Sequence, residues 1–140
     1  MTWRAKSRFV IYTAIDDVVQ DADSVDRRQV KVSGRMSGAI ESFFTVTLFT
    51  HFNAMKPHPE GYQFMTNTDG KNSAKTPVDM FSEKYISNNM AAVLGRIYEY
   101  YDMANHPEFM PSPILVVSKS GTGKSTSMKY LFDIAEEVKK

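Results

Sequence analysis

A glycine-rich run near the C-terminal end, Ser118-Lys119-Ser120-Gly121-Thr122-Gly123-Lys124-Ser125-Thr126, holds residue types suited to gripping phosphate. Gly121 and Gly123 can adopt backbone angles closed to other residues, so successive N–H groups can turn inward around an anion. Lys124 would bring a point charge to the outer phosphates of a nucleotide, and Ser125 a hydroxyl to magnesium. A helix starting after the loop would add its positive end. Ser120, Gly121, Thr122, Gly123, Lys124, Ser125 and Thr126 are therefore the candidate nucleotide-binding residues. Gly-x-Gly-Lys-Ser is the second half of the phosphate-loop pattern, with Ser118 standing where the pattern has its first Gly. By chance such a run arises in roughly one chain in a few hundred of this length. The plain alternative is a turn that caps an ordinary helix.

Chemistry of this kind needs a strand before the loop and a helix after it. Ile114-Leu115-Val116-Val117, bounded by Pro113, is an apolar run that suits a buried parallel strand. Residues 124–138 carry Met128, Leu131, Ile134, Ala135 and Val138 on one helical face and end in Lys139-Lys140, whose charge suits the negative end of the helix dipole. A second chemical feature lies far upstream. Residues 8–15 read as a β-branched and aromatic strand running into Asp16-Asp17, the form of a Walker B element in which the first acid holds magnesium through water. Asp16 and Ser125 are thus the candidate magnesium residues. The plain reading of Asp16 is a strand-end turn.

The remaining elements follow from local pattern. Residues 21–28 read as a polar, solvated hinge and residues 29–33 as a short strand, broken by residues 34–38. Residues 39–44 suggest a helical turn and residues 45–52 an aromatic, Thr-rich strand. Phe43, Phe44, Phe49 and Phe52 are expected in the core. A proline-containing loop over 53–61 leads to a partner strand at 62–67, giving an antiparallel pair. Residues 68–73 turn sharply; their polar side chains make them a candidate site, set against an ordinary surface loop. Residues 78–81 suggest a short helix. Ser87 or Asn88 would cap a helix over 88–101 whose Met90, Val93, Leu94, Ile97 and Tyr101 share a face. Residues 104–113, with three prolines, are the clearest linker.

Composition narrows the function classes. The 140 residues are 42% hydrophobic and 24% charged, within the range of one globular domain. A net charge of +1 argues against a strongly basic nucleic-acid surface while leaving room for a local patch, and the absence of cysteine removes disulfides, thiol catalysis and cysteine-bound zinc. With no apolar run of membrane-spanning length and no signal-peptide pattern, the expectation is a cytoplasmic protein without a membrane partner. His51, His58 and His106 have no metal-ligand spacing and read as surface or loop residues.

In two separate pieces the chain resembles the phage-encoded P-loop ATPases of the AAA/RecA-like class. Val30-Lys31-Val32-Ser33-Gly34-Arg35-Met36, Phe43-Phe44-Thr45-Val46, residues 62–70, Ala74-Lys75-Thr76-Pro77, Met80-Phe81 and the stretch up to Tyr100-Tyr101 resemble their C-terminal portion. Residues 113–131 resemble their N-terminal strand, P-loop and first helix. The pieces stand in reversed order, the C-terminal-like part preceding the P-loop part, and cover about three quarters of the chain. The resemblance implies ATP binding through residues 121–126, with Lys124 on the phosphates and Ser125 on magnesium. The stretch of those ATPases that carries the Walker B acid has no counterpart here.

The expected fold is α/β: one domain over 1–140, with mixed strands and a helix in 1–103, a linker at 104–113 and the P-loop strand and helix in 114–140. Its mixed sheet has about five strands, and the whole reads as a permuted or reduced P-loop NTPase core. The leading functional expectation is ATP binding with magnesium and weak or partner-dependent hydrolysis. The alternative is a nonenzymatic interaction or inhibitor module with a vestigial P-loop. A third reading is a subunit or fragment completed by a protein partner or by a homo-oligomer.

Overall fold

The computed structural model describes residues 9–20, 22–31, 40–57 and 60–118. Residues 119–126 of the glycine-rich run, the expected helix over 124–138 and His58 lie outside them.

The described residues build a six-stranded mixed sheet with one α-helix, an α/β arrangement as the sequence pattern implies. The strands are β1 (Ile11–Gln20), β2 (Asp26–Val30), β3 (Val46–Phe52), β4 (Tyr62–Met65), β5 (Tyr85–Ser87) and β6 (Ile114–Ser118), and the helix is α1 (Met90–Tyr100). Their order across the sheet is β2-β1-β6-β3-β4-β5. β6 lies between β1 and β3 and runs parallel to both, while β2, β4 and β5 add antiparallel pairs.

The unbroken apolar run of β6 follows from that place. A strand covered on both faces has no solvent side, so all five of its residues are buried. Ile114 and Val116 join one apolar cluster with Val46, Leu48 and Phe64, beneath Met90, Val93 and Ile97 of α1. Leu115 and Val117 face the opposite way, into a second cluster with Val30, Phe49, Met65 and Ala74. Each α1 side chain buried against the sheet stabilises it by about 1.5–3 kcal/mol.

Local chemistry sets the helix ends. Asn89 is the N-cap, its Oδ1 accepting the Ala92 N–H at 3.3 Å, one or two residues after the expected Ser87 or Asn88. Asn88 is itself buried. At the far end the chain leaves the helix through Asp102 at φ 50°, and Met103 folds back into full burial. Arg96 and Tyr100 of α1 hold the segment that was expected to be helical at 78–81. Arg96 Nε donates to the Met80 carbonyl at 2.5 Å and the Tyr100 hydroxyl to the Val78 carbonyl at 2.8 Å. That segment is a turn with Asp79 at φ 63°, because its task is to plug the fully buried Met80 into the sheet.

Strand β1 departs most from the local pattern. It does not end at Asp16-Asp17 but continues to Gln20. Its first half pairs with β6, from Ile11 opposite Ile114 to Ile15 opposite Ser118, and its second half pairs with β2, from Asp16 opposite Val30 to Gln20 opposite Asp26. A change of partner keeps the backbone ladder supplied past the end of β6. For the same reason β2 starts inside the supposed hinge, which shrinks to a turn with Ser24 at φ 60°. Residues 32 and 33, the end of the expected strand, lie outside the described residues. The turn at 39–44 is a short 3-10 helix, Ile40–Phe43. Of the four phenylalanines, Phe49 is buried, Phe44 is half-buried, and Phe43 and Phe52 are exposed.

Candidate functional site

The carboxyl ends of β6 and β3 lie at one edge of the parallel trio, beside the middle of β1 where it changes partner, and the chain carrying the glycine-rich run leaves β6 there, after Ser118. In open α/β sheets that edge is where ligands bind, since loops and helix N-termini converge on it. Three side chains from three strands gather at this level.

Asp16 is the first of them. It stands on β1 one residue beyond the pair Ile15 and Ser118, with its side chain only 6% exposed. Arg28 of β2 is the second. On the hairpin Asp16 lies opposite Val30 and Arg28 opposite Val18, and side chains two apart on a strand share a face, so Asp16 and Arg28 project from the same side. Arg28 Nε donates to Asp16 Oδ2 at 2.5 Å. Arg28 Nη1 donates to the Thr50 carbonyl on β3 at 3.0 Å, and its guanidinium lies 5.2 Å from the centre of the Phe49 ring. Since Phe49 stands opposite Val117, Thr50 lies at the level of Ser118. The guanidinium therefore reaches across the carboxyl end of β6 and ties β1 to β3. Its Nη2 is buried and has no hydrogen-bond partner among the described residues.

His51 of β3 is the third. It lies in a strand and is half-buried, which corrects its reading as a surface or loop residue: the strand continues two residues past its neighbour β6 and pairs His51 with Gln63 of β4. Its ring lies 4.6 Å from that of Tyr85. Burial holds its pKa below the ordinary histidine value, the Arg28 charge lowers it further, and Asp69 pulls the other way. An unfolded histidine takes up its proton first as pH falls through about 6.5. Stability should therefore be fully present above that value and decline as pH drops toward the lower folded pKa. We expect urea unfolding to show a smaller free energy at about pH 5.5 than at about pH 7.5, with the difference reduced in His51→Asn. An equal difference in the two proteins would exclude His51 as its source.

The polar stretch 68–73 is an internally bonded turn at the surface. Gly70 takes φ +92°, the Asp69 carboxylate accepts the Lys71 N–H at 2.8 Å, and Thr68 Oγ1 donates to the Asn72 carbonyl at 2.6 Å. The turn serves as a dock for β2: Arg27 Nη1 donates to the Gly70 carbonyl and the Arg28 N–H to the Lys71 carbonyl, both at 2.7 Å. These bonds fold the β1–β2 hairpin over the sheet edge and deliver Arg28 to it. Sequence reasoning placed Asp16 near a site but missed Arg28 and His51. The one available signal was the Arg27-Arg28 pair, which reads locally as turn charge.

His106 lies on the exposed turn after α1, with Nε2 4.0 Å from Asp102 Oδ2. Among the described residues no three His, Asp or Glu side chains are grouped as a metal site. A groove of ≈ 500 Å³ beside β1, lined by Tyr12, Val30, Ile40, Phe44 and Leu115 with Lys31 also on its wall, is mainly apolar. No helix of the described residues is long and apolar enough to cross a membrane. Comparison with known proteins gives no match to a family model, a curated protein or a solved structure.

Proposed function

We propose that this protein binds a nucleoside triphosphate, ATP in the first instance, with magnesium, through residues 120–126. The observation that supports the reading is the position of β6. The strand that leads into the glycine-rich run is the fully buried middle strand of a parallel trio, so the run begins at the ligand-binding edge of the sheet and not on an outer loop. In this reading the N–H groups of Ser120, Gly121, Thr122, Gly123 and Thr126 enclose phosphate, Lys124 neutralises the outer phosphates, and Ser125 holds magnesium. Asp16 fits an outer place around that ion: its ion pair with Arg28 uses Oδ2, and water would bridge Oδ1 to the metal. With one candidate acid, already held by an arginine, hydrolysis would be weak or depend on a partner. The phage ATPase ancestry belongs to the same proposal.

Titration of the protein with ATP and magnesium tests it. Binding is expected in the wild type, with Lys124→Ala weakening it by about tenfold or more while leaving the thermal unfolding midpoint in place. No binding to the folded wild type at millimolar ATP would overturn the reading. A second reading, a nonenzymatic interaction module with a vestigial P-loop, is favoured by the commitment of Asp16 to Arg28. It predicts that same null titration.

A further inference from the structure

The Arg28 guanidinium is an anchored cation with one face left unanswered. Nε is fixed by Asp16 and Nη1 by the Thr50 carbonyl, so the plane of the fork is set from two strands. Nη2 is buried and finds no acceptor among the described residues. A buried N–H without a partner costs about 1–3 kcal/mol, and such groups are rarely left unanswered in folded proteins. An arginine stays protonated at any physiological pH, so the fitting acceptor is an oxygen of high negative charge.

The place of the fork narrows the choice. Thr50 lies on β3 at the level of Ser118, one strand spacing of about 4.8 Å from β6. Gly121 is three residues beyond Ser118, a span of at most about 10 Å even when extended. The guanidinium, carried by β2 and bonded to β3, thus lies close to the level of Ser118, from which the glycine-rich run departs. Phosphate-loop N–H groups cradle the inner phosphates of a nucleotide and the loop lysine reaches the outer ones, and a terminal phosphate with three charged oxygens has room for a further donor from an adjacent strand. We infer that Arg28 Nη2 binds an oxygen of the terminal phosphate and that Asp16 is the positioning residue that aims it. The protein then distinguishes triphosphate from diphosphate through a residue some ninety positions upstream of the loop. This rests on the phosphate-loop reading above.

Arg28→Lys and Arg28→Gln should each weaken binding of ATP with magnesium by about tenfold or more while changing ADP affinity less than about threefold. Lysine keeps the charge but cannot answer Asp16 and Thr50 while also reaching a third acceptor, so the loss in Arg28→Lys separates geometry from charge. Side-chain ¹⁵N resonances of Arg28 in the wild type supply a readout that needs no variant: they should shift with ATP and magnesium and stay in place with ADP. Wild-type ATP binding that Lys124→Ala removes, combined with an unchanged ATP-to-ADP preference in folded Arg28→Lys, would overturn the inference alone. So would Arg28 resonances that respond equally to ATP and ADP. Failure of the wild type to bind ATP would reject the phosphate-loop reading and this inference with it.

Discussion

Phe49→Ala is expected to lower the free energy of unfolding by about 3–5 kcal/mol. Phe49 is fully buried on β3, opposite Met65 on one side and Val117 on the other. Its ring closes the second apolar cluster with Val30, Leu115 and Ala74, on the face away from α1. Truncation removes the transfer free energy of the ring and leaves a hole between strands that pairing holds apart, so collapse is limited. The ring also lies beneath the Arg28 guanidinium, and its loss withdraws a cation–π contact from the sheet edge. Urea unfolding measures the effect. Phe43→Ala, at a side chain 66% exposed, should change stability by less than about 0.5 kcal/mol in the same experiment. Equal losses at the two positions would mean that this face is not packed as described.

Asp16→Ala is expected to cost about 2–3 kcal/mol. A fully buried ion pair that loses one partner costs about 3–5 kcal/mol, because the other charge stays behind without compensation. The Asp16 side chain is 6% exposed, but Arg28 is 24% exposed, so water relieves part of the penalty and the lower figure applies. The loss extends beyond one bond. Arg28 also bonds the Thr50 carbonyl, and its backbone N–H holds the 68–73 turn, so a guanidinium released from Asp16 weakens the junction of β1, β2 and β3. A double-mutant cycle with Arg28→Met isolates the pair: the double variant should be more stable than the sum of the single losses implies, by about 1–2 kcal/mol. Strict additivity would show that the two side chains do not act together.

Some elements were legible because their information is local. β3, β4 and the 11-residue helix α1 were placed within a few residues from β-branched content and helical spacing. The four apolar letters before the glycine-rich run marked a strand covered on both faces, and β6 is that strand. β5 went unseen because three residues are too few to show alternation; its hydrogen bonds to β4 define it, from Gln63 opposite Ser87 to Met65 opposite Tyr85. The acids at 16 and 17 were read as a strand end for a similar reason. Nothing in the side chains there says that the backbone changes partner from β6 to β2.

The sequence by itself determined the chemistry on offer: a phosphate-loop pattern at residues 120–126 with Lys124 and Ser125, a candidate acid at Asp16, and no thiol. It also determined that a buried strand feeds the loop, since an unbroken apolar run has few other uses. Only the tertiary structure decided that this strand is inside the sheet, flanked in parallel by β1 and β3, and that Arg28 pairs with Asp16 at its carboxyl end, with His51 near enough to feel the Arg28 charge. Arg28 lies 12 residues from Asp16 and 22 from Thr50, and hydrogen bonds over such separations depend on strand order and register, not on neighbouring letters. A residue read locally as turn charge thereby becomes a fixed cation at the edge where the chain enters the glycine-rich run.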